Sequence, residues 1–223
     1  MTDKVKSILK KISNALIILG IVLICLTYYE IVFAEIRYRV DNLLNVKYSL
    51  ESESIKVEDK KSPTTDVSVR NILIKPVNKD FSIVIESLNV NAPIVLDVPI
   101  IDKKEYLESL KKGVAHASFS DYPDEEGARV YLFAHSSSNF WELGRYSSVF
   151  NLLHKVKVDS QINIFYKNKR YVYQVEKVEY KKDFRVDETI YESIGPTLTL
   201  QTCHPPGTTL NRLIVTSSLI KVE

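Results

Sequence analysis

Hydrophobic and polar positions divide the chain into an apolar N-terminal run, a polar middle section and a region of short alternating segments. The apolar run covers 18 residues, from Ile12 to Tyr29, and four lysines precede it between positions 4 and 11. A helix of this length spans about 27 Å, close to the thickness of a bilayer's hydrocarbon core. Lysines favour the cytoplasmic side. The pattern therefore predicts a cytoplasmic tail at 1–11, a transmembrane signal-anchor at 12–34 and an extracellular remainder.

Three other interpretations of the apolar run fit the sequence less well. A cleaved signal peptide could use the small-residue spacing at Val32–Ala34, but that site lies beyond Glu30 and far from the apolar centre. A lipoprotein anchor on Cys25 would need a small residue where Ile24 stands. A buried core helix is disfavoured by the lysine flank. Retention as a single-pass membrane anchor is the favoured prediction.

The middle section, residues 35–79, is mostly polar and includes the stretch ESESIKVEDKKSPTTD. It shows no sustained helical or strand period. It is therefore predicted to be an extracellular spacer that holds a folded domain, residues 80–223, away from the bilayer.

From residue 80 the pattern changes to short apolar segments typical of β-strands. In FSIVIESL, the side chains of Phe81, Ile83 and Ile85 are expected to face inward. Further predicted strands are APIVLDVPI, RVYLFAH, TLTLQTC, RLIVTSSL and the hairpin QINIFYKNKRYVYQVEKVEY, which turns near Asn168 and Lys169. Lys103–Gly113 predicts a short helix and Asp187–Pro196 a helical turn. Seven or so short strands with only small helices between them predict an all-β domain, a closed or nearly closed β-barrel.

The net charge of the chain does not indicate a class of binding partner for this domain. The 30 basic and 28 acidic residues give a net charge of +2 spread along the chain. The sequence therefore offers no basic face for nucleic acid and no acidic tail.

The chemistry of the domain centres on one thiol. Cys25 lies in the presumed membrane helix, so Cys203 is left without an intramolecular disulfide partner. An odd thiol in an exported protein indicates intermolecular pairing, a reactive group or a buried structural cysteine. A reactive cysteine needs a neighbouring base or cation, because only the thiolate is a good nucleophile.

Two residues are candidate partners for Cys203. His135 ends an apolar strand, and two strand ends on one rim can meet across a sheet. His204 should face away from Cys203, because successive strand side chains point to opposite faces. Arg212 follows Cys203 across the Pro/Gly loop HPPGTTLN, and an antiparallel return brings it back beside the thiol. A guanidinium there could lower the pKa of the thiol and stabilise an oxyanion.

These residues resemble those of the sortases, the membrane-anchored cysteine transpeptidases of bacterial surfaces. Residues 199–203, TLQTC, match the family's TLxTC strand, NRLIV supplies its arginine, and YLFAH its histidine, in the family order His, Cys, Arg. The resemblance covers residues 80–223, and the signal-anchor and spacer agree with it. Ala134 and Ser136 replace a frequent glycine and arginine, and the loop from Cys203 to Arg212 is short. The end of the chain carries no second apolar run, which disfavours the pilus-polymerising type.

The resemblance implies an eight-stranded β-barrel whose groove binds an LPXTG-like sorting signal at the C-terminus of another exported protein. Cys203 would form a thioester, His135 would protonate the leaving amine, and Arg212 would hold the carbonyl and the oxyanion. Thr202 would help position the substrate. An amine on the cell wall or on another protein would then accept the acyl group, with no cofactor required.

Calcium is a weaker possibility, because the loop DYPDEEG places four carboxylates together: Asp121, Asp124, Glu125 and Glu126. Their spacing matches no ligand pattern, which favours a solvated acidic turn. His116 resembles a position that is often histidine in the family, with no assignable chemistry, and His154 is predicted to be a surface group. A zinc site is disfavoured because the cysteine and histidines lack paired spacing.

Other classes of protein remain as alternatives. A papain-like thiol protease would place its cysteine before its histidine and at a helix start. A cell-wall L,D-transpeptidase would carry a Ser and Gly approach to the cysteine, which is missing here. A membrane-tethered β-barrel that binds a surface partner, with Cys203 as a structural thiol, is the non-enzymatic alternative.

Overall fold

The computed structural model of the chain describes residues 3–51, 70–100, 103–136, 146, 148–182 and 195–223. The α-helices are α1 (Asp3–Leu43) and α2 (Lys103–Lys112). The strands are β1 (Val46–Leu50), β2 (Arg70–Ile74), β3 (Phe81–Ile85), β4 (Val90–Val98), β5 (Val114–Ala117), β6 (Arg129–Phe133), β7 (Gln161–Tyr166), β8 (Lys169–Lys181), β9 (Thr197–His204) and β10 (Asn211–Val222). The predicted turn at Asp187–Pro196 and the centre of the predicted spacer fall largely outside the described residues.

In the described part of the domain, eight strands close into a barrel in the order β10-β8-β7-β3-β4-β5-β6-β9. Neighbouring strands are antiparallel except for the pairs β4–β5 and β6–β9. The interior is a single apolar cluster that includes Ile83, Ile85, Leu132, Leu200 and Val215. The closed barrel predicted from the sequence is confirmed, and the predicted helix at Lys103–Gly113 is α2.

Helix α1 is longer than the apolar run that begins it. The apolar portion has the length and composition to span a membrane and is not buried against the rest of the chain. Beyond it, ion pairs one turn apart support the helix: Glu35 with Arg39 at 2.8 Å, and Arg37 with Asp41 at 3.8 Å. The helix ends at Leu43, just before Asn45 adopts a left-handed φ of 51°.

The predicted spacer contains structure at both of its ends. Strands β1 and β2 pair in parallel, and Tyr48, Leu50 and Ile74 cover Val84 and Phe165 on the outside of the barrel. This cover buries β3 on both faces, whereas the sequence pattern predicted only an inward face. The sequence shows no local period at these two strands, because each is only five residues long and they pair across a gap of about 20 residues.

The first turns of α1 beyond the apolar run contact the barrel directly. Lys155, in a short 3₁₀ helix at Leu153–Lys155, pairs with Glu35 at 3.1 Å. Its ammonium lies 5.8 Å from the ring centroid of Tyr38, which packs against the barrel core. Tyr48 donates a hydrogen bond to Asp41 at 2.8 Å, which ties β1 to the same helix.

Helix α2 connects the parallel strands β4 and β5, as parallel strands require a crossover. Leu110 is buried and Tyr106 packs against the core, so one helical face lies on the barrel. The helix stops at Gly113, where a Cβ atom would lie 2.2 Å from the carbonyl oxygen of Pro93. Only glycine allows this close approach, which fixes the position of α2 on the barrel.

Candidate active site

Cys203 lies at the carboxyl end of β9, on the outer face of the barrel. The alternating residues Leu198 and Leu200 belong to the interior cluster, so Gln201 and Cys203 point the other way. The thiol is free and the residue is half-buried. Cys203 is therefore shielded on one side and reachable on the other, unlike a cysteine of the core.

Arg212 stands directly opposite Cys203 on the neighbouring strand. In the antiparallel ladder of β9 and β10, these two residues are Cα partners. Partners in such a ladder project from the same face of the sheet, with Cβ atoms about 5 Å apart. The guanidinium Nη1 also donates to the carbonyl of Thr209 at 3.3 Å, which ties it to the loop after Cys203. The structure thus brings the two residues together, as the hairpin predicted from the sequence requires.

His135 approaches Cys203 from the other side of β9. Strand β6 runs parallel to β9, and their ladder extends as far as Phe133 opposite Gln201. The amide of Ala134 then donates to the carbonyl of Gln201 at 3.1 Å. Two residues further along each strand, His135 and Cys203 follow on the same outer face. The histidine is half-buried, and its carbonyl accepts a 3.2 Å hydrogen bond from the amide of Phe150.

Thr202 locks these two strand ends to each other. It is buried, and its hydroxyl donates a 2.8 Å hydrogen bond to the carbonyl of Ala134, the residue before His135. The resemblance described above implies that Thr202 helps position the substrate. In the structure its hydroxyl is engaged with the barrel, and the bond joins the residue before Cys203 to the residue before His135.

Tyr106 is a member of this site that the sequence reasoning missed. Its ring stacks on Phe133 with centroids 5.2 Å apart and meets the ring of His135 edge-on at 6.2 Å. Burial raises the pKa of its phenol, Cys203 raises it further, and Arg212 lowers it. The phenol therefore lies within electrostatic reach of both residues. The helical pattern places Tyr106 on the apolar face of α2, but it does not show which part of the barrel that face covers.

Gln201 lies beside Cys203 on the same face of β9 and is also held in place. Its side-chain oxygen accepts a hydrogen bond from the hydroxyl of Tyr131, a buried residue of β6. Burial raises the pKa of Tyr131, so this phenol is a donor throughout the physiological range. The surface beside Cys203 on this face of β9 is thus uncharged and held by a hydrogen bond.

The other histidines lie elsewhere. The ring of His204 lies 4.6 Å from that of Tyr180 and 5.7 Å from that of His154, on the opposite face of β9 from Cys203. Burial lowers the pKa of His154 and that of His204. His116 is fully buried in β5, where it pairs with Leu132 of β6, and its ring stacks on Tyr122 at 4.8 Å. His135 is therefore the histidine positioned to act with Cys203.

The calcium candidates lie in the loop between β5 and β6, and three of them bind protein groups. Asp121 accepts a 2.8 Å hydrogen bond from the amide of Arg129, and Asp124 pairs with Lys167 at 2.8 Å. Glu125 accepts a 3.1 Å hydrogen bond from the amide of residue 122. Glu126 is exposed in the same loop. Within the described ranges, no cluster of three or more His, Cys, Asp or Glu side chains could hold a metal ion.

The arrangement brings a thiol, an imidazole and a guanidinium together on one surface. Strands β9 and β10 supply the thiol and the guanidinium, and the segment just after the adjacent strand β6 supplies the imidazole. A cleft of about 780 Å³ between α1, β1 and the barrel contains none of them. The geometry suits attack of a thiolate on a carbonyl with the oxyanion held by a guanidinium.

Comparison with known proteins agrees with this geometry. Residues 83–220 match the family model of the Sortase domain. Among solved structures, sortase C1 of GBS pilus island 1 is 24% identical, with a TM-score of 0.52 over 63% of this chain and 64% of that one. Sortase C-1 from Actinomyces oris is 22% identical, with a TM-score of 0.52 over 65% of this chain and 76% of that one. Sortase A from Corynebacterium diphtheriae is 21% identical, with a TM-score of 0.52 over 65% of this chain and 61% of that one.

These structural similarities establish the fold, and the chain spans less than two thirds of the length of the first and third of these structures. A search of curated protein sequences gives no match. The family model covers more than half of the chain. The barrel and the sequence model together show that the chain belongs to the sortase family.

Proposed function

We propose that this protein is a membrane-anchored cysteine transpeptidase that cleaves an LPXTG-like sorting signal on an exported protein and transfers that protein to an amine on the cell surface. One observation carries the proposal: the strand register sets Arg212 opposite Cys203 on one side of β9, while the chain that leaves β6 on the other side carries His135 two residues beyond the strand. A cysteine with a purely structural role would not require a histidine or an arginine beside it.

The first half of the reaction forms an acyl-enzyme. The thiolate of Cys203 attacks the carbonyl carbon of the scissile peptide bond, and the carbonyl oxygen takes up the negative charge. Arg212 donates hydrogen bonds to that oxyanion. When the carbon–nitrogen bond breaks, His135 gives its proton to the departing amine, and a thioester to Cys203 remains.

The second half exchanges the thiol for an amine. The acceptor nitrogen attacks the thioester carbonyl, His135 takes up a proton from it, and the carbon–sulfur bond breaks to regenerate the thiolate. The product carries a new amide bond in place of the original one. The half-buried position of Cys203 supports this chemistry, because partial shielding strengthens the interaction between the oxyanion and the guanidinium.

The long N-terminal helix supports a location at the membrane. Its apolar portion is long enough to cross a bilayer, and the lysines before it favour a cytoplasmic N-terminus. The barrel would then lie on the extracellular side, where exported substrates and amine acceptors are available.

The full chain in detergent micelles, mixed with fluorogenic LPXTG-like peptides and an amine, tests this proposal. The expected product has the mass of the amine-exchanged peptide. Cys203→Ala abolishes it, whereas Cys25→Ala, which removes the other thiol, leaves it unchanged. A parallel assay follows the reaction of Cys203 with a charged methanethiosulfonate reagent. A Cys203 that is inert to this reagent in the folded protein contradicts the catalytic proposal and favours the non-catalytic binding module.

A further inference from the structure

We propose that Tyr106 is a positioning residue, whose aromatic ring holds the imidazole of His135 in its working orientation beside Cys203. This inference rests on the proposed function, because it assigns Tyr106 a part in the same reaction. Tyr106 comes from α2, outside the strands and the segment after β6 that carry Cys203, Arg212 and His135.

The ring of Tyr106 contacts two other aromatic rings, those of Phe133 and His135. One contact is the parallel stack on Phe133, with an interplanar angle of 9° and centroids 5.2 Å apart. The other is the edge-on contact with the ring of His135, with an interplanar angle of 87° and centroids 6.2 Å apart. Edge-to-face and stacked aromatic pairs at such distances are attractive and depend on orientation. Since Phe133 and His135 are two residues apart on the same strand face, Tyr106 contacts the strand end that presents the histidine.

The support is rigid because α2 is fixed to the barrel. Tyr106 and Leu110 lie one turn apart on the same helical face, and Leu110 is 1% exposed in the core. At the end of the helix, the approach of Gly113 to Pro93 leaves no space for a side chain. Phe133 is itself 3% exposed. Tyr106 is thus held between a buried anchor on its helix and a buried ring on β6.

The ring is also an uncharged neighbour for the reacting groups. Burial and the proximity of Cys203 keep the pKa of the phenol above its usual value, so the phenol is neutral at physiological pH. A neutral aromatic surface orients His135 without competing for its proton. The hydroxyl is not required for this role, so phenylalanine should replace Tyr106 whereas an aliphatic residue should not.

The test compares Tyr106→Phe, Tyr106→Leu and a matched control, Tyr122→Leu, in the full chain in detergent. Tyr122 also stacks on a histidine, His116 at 4.8 Å, but it lies in the loop that precedes β6, at the end of the strand opposite to His135. Each variant is assayed for transpeptidation, for thermal unfolding and for the pH dependence of the alkylation rate of Cys203.

Tyr106→Leu is expected to lower kcat by about 2- to 12-fold, the range that corresponds to loss of one oriented aromatic pair, with KM changed by less than about twofold. The alkylation rate of Cys203 at neutral pH should fall by a similar factor, because a misoriented His135 activates the thiol less well. Tyr106→Phe should match the wild type in both measurements. Tyr122→Leu should keep the alkylation profile of the wild type.

Two results would overturn this inference. One is a Tyr106→Leu variant with wild-type kcat and an unchanged alkylation profile. The other is an equal change in Tyr106→Leu and Tyr122→Leu, which would assign Tyr106 a purely structural role. Absence of transpeptidation in the wild type contradicts the proposed function instead, and the alkylation profile still measures the effect of Tyr106 on His135 in that case.

Discussion

The hydrogen bond from Thr202 to Ala134 permits a sharp test of how the site is held together. Thr202→Val replaces the hydroxyl by a methyl group of similar size, so the packing of the side chain is conserved. The change leaves the carbonyl of Ala134, a residue that is 6% exposed, without the donor that lies 2.8 Å away. A buried polar group deprived of its partner costs about 1 to 3 kcal/mol of unfolding free energy.

That cost can be measured directly. In a domain of this size, 1 kcal/mol corresponds to about 2 to 4 °C in Tm, so Thr202→Val should melt about 2 to 12 °C below the wild type. The same bond sets the distance between the chain segments that carry His135 and Cys203. Transpeptidation, assayed well below the Tm, should therefore fall about tenfold, since small displacements of reacting groups slow catalysis strongly.

Ser217→Ala is the matched control for this prediction. Ser217 is also a fully buried hydroxyl residue of the barrel, but its Oγ has no hydrogen-bond partner among the described residues. Its removal should leave Tm unchanged or slightly raised, with normal activity. If Thr202→Val melts and reacts like the wild type, the bond to Ala134 does not stabilise the site and the reasoning is refuted.

Further predictions follow from other contacts in the barrel. Arg212→Ala should lower kcat about 10²- to 10³-fold, and Arg212→Lys should recover only part of that loss because it lacks the planar fork; equal activity of both variants and the wild type would exclude an oxyanion role. Burial lowers the pKa of His116, so below its ordinary value the unfolded chain binds a proton that the folded chain does not. The unfolding free energy that neutral, buried His116 contributes is therefore lost as pH falls below 6.5, by at most about 1.4 kcal/mol per pH unit. His116→Gln should remove this contribution, so the unfolding free energy measured with denaturant should depend less on pH below 6.5. Tyr173 has a buried hydroxyl with no partner among the described residues, so Tyr173→Phe should raise Tm by about 2 to 4 °C in a thermal scan; a lower Tm would show that the hydroxyl is satisfied.

The sequence predicts those parts of the fold that local patterns determine. Alternation in β9 correctly directs His204 away from the face that carries Cys203, and the short loop after the thiol returns Arg212 to its neighbour. The hairpin of β7 and β8 is present, with its turn at Lys167 and Asn168, where both residues have positive φ. That turn lies one residue before the predicted position.

Contacts between distant segments could not be predicted in the same way. The parallel pairing of β1 and β2 produces no local period, so the sequence gives no sign of secondary structure at the ends of the predicted spacer. The helix that carries Tyr106 shows an apolar face, but only the closed barrel determines that this face meets His135. The bond from Thr202 likewise depends on the parallel register of β6 and β9, which no neighbouring residues encode.

The parallel pairing of β6 and β9 also bears on the order in which the site assembles during folding. Cys203 and Arg212 belong to consecutive strands and can meet as soon as their hairpin forms. Thr202 and Ala134, which join the strand of the thiol to that of His135, are 68 residues apart. Contacts of such sequence separation form slowly, because loop closure opposes them. A partly folded chain can therefore carry the cysteine beside its cation while the histidine is still absent. The rate at which Cys203 gains its full reactivity during refolding should then report closure of the barrel itself.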